Sequence, residues 1–184
     1  MVKVLVPLFQ GFEEIEALSI IDLLRRGGIE VITASISSHK LVEAGHGVKV
    51  EADILFSTVA TDMSFNAIIV PGGPGHKRIG ECTPLMNLLT QYHKTAGKLV
   101  SAICAAPVYL GKCGILEGKR ATCYPGMMSQ LTCGTPCNDE VVVDGDVITS
   151  RGPGTAFAFG LALIEKLVGK AKRDEVCQGA VYMH

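Results

Sequence analysis

The sequence contains no tryptophan, and aromatic residues make up only 5% of its 184 positions. Proteins that stack single-stranded nucleic acid need exposed aromatic rings, so the composition disfavours that class. Neither sign of charge predominates, because 17 Lys and Arg residues stand against 18 Asp and Glu residues. Binding to a phosphate backbone needs clustered positive charge, and we therefore expect no sequence-specific nucleic-acid partner.

Long apolar segments are also missing, since no run approaches the roughly 20 residues of a membrane-spanning helix. The opening residues, MVKVLVP, predict a strand and show no signal-peptide pattern. The seven cysteines are odd in number and scattered, which favours reduced thiols over a disulfide framework. We therefore expect a cytoplasmic protein that has no membrane association.

Metal-binding patterns are weak in this sequence. Three residues separate Cys133 from Cys137, whereas a zinc knuckle has two between its cysteines. No nearby histidine completes a tetrahedral set with these residues and Cys123. We expect neither a metal nor a cofactor, and the sequence leaves open whether Cys133 and Cys137 ever pair.

Apolar segments that favour strands alternate with segments that favour helices, and no linker, repeat or charge block interrupts them. Strands are predicted at residues 3–9, 29–36, 48–50, 67–70, 98–103, 120–123, 140–143 and 147–150. Helices are predicted at residues 13–26, 84–95, 105–112, 155–168 and 171–178. The alternation predicts one α/β domain over residues 1–184, with a mostly parallel sheet and helices on both of its faces.

The carboxyl ends of the strands are where such a sheet binds ligands, so functional residues should follow Phe9, Val70 and Ile103. After Ile103, the sequence AICAA (102–106) delivers Cys104 to a tight turn before a helix. Small residues two positions to either side match the spacing of the nucleophile elbow G-x-S-x-G. The N–H groups that open a helix would favour the thiolate and stabilise an oxyanion. The alternative is that Cys104 is a small buried side chain without a chemical role.

Acidic residues open the first predicted helix, where Glu13 and Glu14 suit the helix dipole. Glu16 shares a helix face with Ile20 and Leu23, and this spacing favours an inward orientation. A desolvated carboxyl has a raised pKa, so it can hydrogen-bond to a thiolate or move protons for it. Glu13 also has apolar neighbours at helical spacing, so periodicity alone does not choose between the two carboxyls.

Two glycine-rich segments end predicted strands. PGGPG (71–75) lacks the order of a phosphate-binding loop, and it is either a tight turn or the source of a second oxyanion donor at Gly73. In SRGPGT (150–155), Arg151, Gly152 and Pro153 are candidates for the rim of the pocket, although helix capping alone explains that segment. The histidines, which we expect to be solvated, are His39, His46, His76, His93 and His184. The sequence therefore does not support a Cys-His-Asp hydrolase.

Four motifs occur in register along the chain: GFEEIE (11–16), VPGG (70–73), AICAAP (102–107) and SRGPGT (150–155). Together they resemble the DJ-1/ThiJ/PfpI superfamily, nearest the branch of the parkinsonism-associated deglycase and its bacterial ThiJ-like relatives. The resemblance extends from the first strand to the last helix. It implies a flavodoxin-like three-layer sandwich, a nucleophile-elbow cysteine and a homodimer.

The resemblance also implies roles for particular residues. Cys104 would be the reactive, easily oxidised thiol, Glu16 the carboxyl beside it, and Gly73 and Ala105 the backbone N–H donors. The implied activity is that of a cysteine-dependent deglycase or glutathione-independent glyoxalase, which acts on methylglyoxal, glyoxal and their adducts on proteins and nucleotides. The alternative is an oxidative-stress sensor or chaperone whose Cys104 is oxidised to the sulfinate. An inactive flavodoxin-like binding module is a third hypothesis.

Two departures from the family pattern affect this expectation. Relatives with protease-like or strong glyoxalase activity carry histidine directly after the cysteine, and Ala105 therefore argues against a peptidase. Tyr124 stands where some nearer relatives have histidine, so activity is expected to be weak or to rely on Glu16 alone. Tyr124 would pack against the site or hydrogen-bond to a substrate carbonyl. The resemblance also makes Arg26 and His46 candidates for charge at a dimer interface.

Overall fold

A seven-stranded, mostly parallel β-sheet lies at the centre of the computed structural model, which describes residues 1–182. The strands are β1 (Lys3–Leu8), β2 (Glu30–Ser35), β3 (Leu41–Glu43), β4 (Lys49–Glu51), β5 (Ile54–Leu55), β6 (Ala67–Val70), β7 (Leu99–Ile103), β8 (Arg120–Ala121), β9 (Thr135–Pro136), β10 (Val141–Asp144) and β11 (Val147–Ser150). The helices are α1 (Glu14–Arg26), α2 (Lys77–Glu81), α3 (Thr83–His93), α4 (Pro107–Lys112), α5 (Ala156–Val168) and α6 (Lys170–Gly179). Short 3-10 turns span Phe56–Thr58, Pro125–Gln130 and Pro153–Thr155.

The strand order in the central sheet is β10-β11-β7-β6-β1-β2-β5. All neighbouring pairs are parallel except the hairpin of β10 and β11. Helix α5 packs against both α1 and α6, whereas α3 packs on β6 and β7 and α4 packs on β7. The predicted α/β class with a mostly parallel sheet, which is the flavodoxin-like arrangement, is confirmed.

The interior strands β1, β6 and β7 are nearly continuous apolar segments that are almost entirely buried. This pattern is typical of parallel strands that are covered on both faces. Because the three strands are parallel, their carboxyl ends meet at one edge of the sheet. Hydrogen bonds join the loops there, from Glu13 N–H to Gly72 O at 2.9 Å and from Gly75 N–H to Gly11 O at 2.8 Å.

Several short elements differ from the sequence prediction. The strands β3, β5 and β9 and the helix α2 were not predicted, since segments of two to five residues are too short to show a periodicity of apolar residues. The strand predicted at 120–123 ends at Ala121, and the helix predicted at 105–112 begins only at Pro107. No helix within residues 1–182 combines the length and apolar character needed to cross a membrane.

Candidate active site

Cys104 lies in a strained turn directly after β7. Its φ angle is +65°, in the left-handed region that residues other than glycine seldom adopt. Its N–H donates to Ser150 O at 3.0 Å, and its carbonyl accepts from Tyr124 N–H at 2.7 Å. Strain of this kind persists where the surroundings fix the backbone, and it is concentrated at functional sites. The turn thus has the geometry of a nucleophile elbow.

Gly72 explains how the loop after β6 comes so close to this turn. A Cβ atom at Gly72 would lie 2.6 Å from Cys104 Cβ and 2.9 Å from Ile103 O, too close for any side chain. Gly73 is equally constrained, because its φ is +122° and a Cβ there would lie 2.4 Å from Glu13 N. Glycine at both positions therefore lets three loops meet around one sulfur atom.

Glu16 is fully buried, with 0% of its surface exposed, although it is a charged residue type. Its backbone N–H donates to Glu13 Oε2 at 2.7 Å, which caps the start of α1. Its Oε2 atom accepts a hydrogen bond from Gly72 N–H at 2.8 Å. Its Oε1 atom is buried and has no N–H or O–H donor among residues 1–182. The Cys104 thiol interacts with this carboxyl.

Burial raises the pKa of Glu16 from 4.5 to about 7, and hydrogen bonds from Cys104 and Gly72 oppose only part of that effect. A nearby negative charge on Glu13 acts in the same direction as burial. Because desolvation disfavours the charged form, this carboxyl holds a proton at a pH where an ordinary glutamate has lost it.

The N–H groups at the elbow favour the Cys104 thiolate as expected, but burial and Glu16 outweigh them. Burial is the largest influence on Cys104 and, together with the charge of Glu16, it raises the pKa of the thiol. Backbone N–H groups of Ala105 and Gly73 hydrogen-bond to the sulfur and act in the opposite direction. Two negative charges repel strongly in a buried site, so at most one of Cys104 and Glu16 is charged near neutral pH, and the other holds a proton. The thiolate forms when Glu16 holds that proton.

A pocket of about 320 Å³ opens onto Cys104, which is 9% exposed. Its other lining residues are Glu13, Gly73, Pro74, His76, Ala105, Tyr124, Met127 and Pro153. The volume suits a small organic molecule, at the lower end of the range for ligand pockets. The structure thus brings the predicted residues Gly73, Ala105, Tyr124 and Pro153 together with Cys104.

Other candidate residues lie outside this pocket. Arg151 and Gly152 line an adjacent depression, which shares Tyr124 and Pro153 with the pocket. Arg26 is exposed and hydrogen-bonds to Asp22 on its own helix. His46 is also exposed, and its Nδ1 atom lies 2.9 Å from Glu14 Oε2. His184 lies outside the described residues.

His76 is the main residue that the sequence analysis missed. It was expected to be solvated, whereas the structure places it, partly buried, in the wall of the Cys104 pocket. Its Nδ1 atom lies 2.8 Å from Tyr109 Oη, and its N–H donates to Gly73 O at 3.0 Å. The signal was its position, because His76 follows the predicted oxyanion donor Gly73 by a single turn.

One cluster of potential metal ligands occurs within residues 1–182. Glu13, Glu14 and His46 place ligand atoms within 4.8 Å of one another. Glu14 accepts hydrogen bonds from His46 N–H and is paired with His46 Nδ1, while Glu13 caps α1. These contacts explain the arrangement without an ion. The three cysteines Cys123, Cys133 and Cys137 form no such cluster in the described part of the chain.

The fold and site define an α/β protein with a cysteine on a nucleophile elbow and a buried carboxyl beside it. The family model described as the DJ-1/PfpI family matches residues 2–166. The chain belongs to this family.

Named relatives agree with that assignment. The chain is 46% identical over 177 residues to Protein DJ-1 homolog B of Arabidopsis thaliana, covering 95% of this chain and 40% of that protein. It is 39% identical over 166 residues to Glutathione-independent glyoxalase DJR-1.2 of Caenorhabditis elegans, covering 89% and 87%. The solved structure of oxidized Toxoplasma gondii DJ-1 has a TM-score of 0.95 and 39% identity, covering 100% of both chains. The chain therefore spans less than half the length of its Arabidopsis relative but most of the Caenorhabditis one.

The raised pKa of Glu16 predicts a pH-dependent stability. Its pKa is about 7 in the folded protein and ordinarily 4.5. The contribution of Glu16 to the free energy of unfolding is fully present below pH 4.5, where the folded and unfolded states both bind the proton. It is lost as the pH rises through 7. A difference of one pKa unit corresponds to ~1.4 kcal/mol, so the free energy of unfolding should fall by about 3 kcal/mol from this residue.

Denaturant unfolding at pH 5 and pH 8 measures this effect in the wild type and in Glu16→Gln, which cannot ionise. Between pH 5 and pH 8, we expect the free energy of unfolding to fall less in Glu16→Gln than in the wild type, because the variant lacks the contribution of Glu16. Glu14→Gln is the matched control, because the pKa of Glu14 is lowered by its contacts with His46 despite some burial. A Glu16→Gln variant with the same pH dependence as the wild type would contradict the burial of a titrating carboxyl.

Proposed function

We propose that this protein is a glutathione-independent glyoxalase or deglycase, which acts on methylglyoxal, glyoxal and their adducts on proteins and nucleotides. The observation that carries the proposal is the fully buried Glu16 carboxyl beside Cys104, which itself lines a small pocket. The relative named as a glutathione-independent glyoxalase supports this chemistry. Among the cysteines of residues 1–182, only Cys104 has a backbone with a positive φ angle.

The first step is addition of sulfur to the aldehyde carbon. With the shared proton on Glu16, Cys104 is the thiolate and forms a C–S bond. The electron pair of the C=O bond moves to oxygen, where the N–H groups of Gly73 and Ala105 stabilise the charge. Preorganised donors of this kind are worth roughly 10²–10³ in rate each. Glu16 then gives its proton to this oxygen, which leaves a hemithioacetal and a carboxylate.

The second step moves hydrogen between the two carbons of the substrate. The Glu16 carboxylate removes the proton from the former aldehyde carbon, and an enediol-like intermediate forms. Glu16 returns a proton to the second carbon, while the hydroxyl proton moves from the first oxygen to the second. The first carbon is oxidised and the second is reduced, so no external oxidant is needed. The product is a thioester on Cys104.

Water then hydrolyses the thioester and releases a hydroxy acid, which is lactate when the substrate is methylglyoxal. Overall the substrate gains one water molecule and Cys104 is regenerated. Hemithioacetals and aminocarbinols on other molecules offer the same carbon to Cys104, and they release their thiol or amine as the leaving group. The position of the pocket at the surface admits such larger adducts.

This mechanism predicts that Cys104 is indispensable. The purified protein should convert methylglyoxal to lactate without glutathione, and Cys104→Ser should lower the rate by at least about 10³-fold, because the nucleophile is lost. Cys82→Ser is the control, since Cys82 lines a separate groove with Gln10 and Arg78. Lactate formation at the wild-type rate by Cys104→Ser would rule out the mechanism.

A second candidate function is oxidative-stress sensing at the same thiol, with or without chaperone activity. A thiolate beside a protonated carboxylic acid favours oxidation, because the acid can donate a hydrogen bond to the resulting sulfinate. The solved relative from Toxoplasma gondii is described as oxidized. Burial raises the pKa values of Cys82, Cys113 and Cys123 as it does that of Cys104, and what distinguishes Cys104 is the buried Glu16 carboxyl beside it.

Intact-mass spectrometry after mild peroxide treatment tests the sensor hypothesis. We expect two added oxygen atoms, located at Cys104 by peptide mapping, and none in Cys104→Ser. Oxidation distributed evenly over the seven cysteines would count against a dedicated sensor.

Homodimer formation is part of the proposal. Ile15 and Leu18 lie on α1 with 55% and 39% of their surfaces exposed, and Val48 is also exposed. Apolar side chains on the helix that carries Glu16 suit contact with a second copy of this chain. Arg26 and His46 would then contribute charge near that contact.

A further inference from the structure

The pocket contains a histidine that comes from an unexpected element. Tyr124 stands where nearer relatives were expected to carry an imidazole, and its side chain is 48% exposed at the rim. His76, from the loop between β6 and α2, lines the same pocket as Cys104. His76 and Cys104 therefore line one cavity from two different loops.

Tyr109 on α4 holds the imidazole in position. Its hydroxyl lies 2.8 Å from His76 Nδ1, and the two rings are 5.8 Å apart at a tilt of 51°. Tyr109 is buried, and its ring packs against α2 so closely that a Cβ atom at Gly80 would lie 2.6 Å from Tyr109 Cε1. The ring of His76 is thus anchored through Nδ1, while Nε2 forms no hydrogen bond within residues 1–182.

The surroundings keep His76 neutral. Burial is the main cause that lowers its pKa below 6.5, and the positive charges of Lys77 and Lys112 add to it. Burial also raises the pKa of Tyr109, so its phenol keeps its proton. A hydroxyl can donate or accept, so His76 Nδ1 keeps a partner in either neutral tautomer. Nε2 is therefore available to donate a hydrogen bond without carrying a full charge.

We propose that His76 is a catalytic residue of this pocket, whose Nε2–H donates a hydrogen bond to the second carbonyl oxygen of the bound α-oxoaldehyde. This inference rests on the proposed function and adds the group that recognises the dicarbonyl. Gly73 and Ala105 stabilise the first oxygen, and Glu16 moves the carbon-bound proton. The other candidate donor in this pocket is the hydroxyl of Tyr124, on a side chain that is more exposed than that of His76.

The enediol step is where this hydrogen bond contributes most. When Glu16 removes the proton from the first carbon, the electron pair of that C–H bond forms the double bond between the two carbons. The electron pair of the second carbonyl moves to its oxygen, which becomes negative and faces His76. A neutral imidazole N–H binds that charge more strongly than it binds the ground-state carbonyl, so it accelerates the reaction rather than only tightening binding.

His76→Gln tests the proposal in steady-state assays with methylglyoxal. We expect kcat to fall by about 10²-fold and KM to rise by no more than about fivefold, because the lost hydrogen bond is much stronger in the transition state than in the ground state. His93→Gln is the matched control, since the pKa of His93 is also lowered mainly by burial but the residue lies on α3, outside the pocket. A His76→Gln variant with the wild-type kcat would overturn the proposal and leave the proposed function standing.

Tyr109→Phe is a second variant, which leaves the imidazole in place and removes its anchor. We expect a smaller fall in kcat than in His76→Gln, and no further fall when the two substitutions are combined. If the fold-changes in kcat of the two single variants multiply in the double variant, Tyr109 does not act through His76. That result would contradict the anchoring argument.

Adduct formation separates failure of this inference from failure of the proposed function. If the wild type does not release lactate, the proposed function fails, and ¹³C NMR with labelled methylglyoxal then measures the dissociation constant of the Cys104 hemithioacetal. The second carbonyl survives in that adduct, so His76→Gln should weaken it by about fivefold relative to the wild type and His93→Gln. Equal constants, or no Cys104 adduct in the wild type, would overturn the role of His76.

Discussion

One proton shared between two buried acids is the constraint on which the chemistry of this protein depends. Glu16 and Cys104 are both buried, and a negative charge on Glu16 opposes ionisation of the thiol, which hydrogen-bonds to that carboxylate. The site cannot hold both charges near neutral pH. Cys104 is therefore a thiolate only while Glu16 is protonated, and Glu16 is a carboxylate only while Cys104 is a thiol. Proton transfer to a substrate and protection of an oxidised sulfur both follow from this arrangement.

The fold creates this arrangement by bringing three strand ends to one edge of the sheet. The elbow after β7 fixes Cys104, and the start of α1 places Glu16 beneath it. Gly72 joins the two, because its N–H donates to Glu16 Oε2 and its lack of a side chain admits the Cys104 turn. Any side chain at Gly72 would separate the two acids, which explains why a glycine-rich turn ends β6.

The sequence contained enough information to predict the sheet, the elbow and the inward face of α1. These features depend on the local periodicity of apolar residues and on the spacing of small residues around Cys104. The elbow spacing singled out Cys104, and the helical face of Ile20 and Leu23 favoured an inward Glu16, although periodicity alone did not exclude Glu13. The direction of the thiol pKa was mispredicted, because it depends on burial and on a charge from another element. His76 was missed for a similar reason, since its place in the wall depends on a contact with Tyr109 that joins two separate loops.

A thiol titration of the wild type and Glu16→Gln tests the shared proton most directly. The rate of Cys104 alkylation by iodoacetamide, followed against pH by mass spectrometry, reports the thiolate. The account predicts a two-step profile for the wild type, and for Glu16→Gln a single step that lies below the upper wild-type step, because the neighbouring charge is gone. Superimposable profiles of the two proteins would contradict the coupling between Glu16 and Cys104.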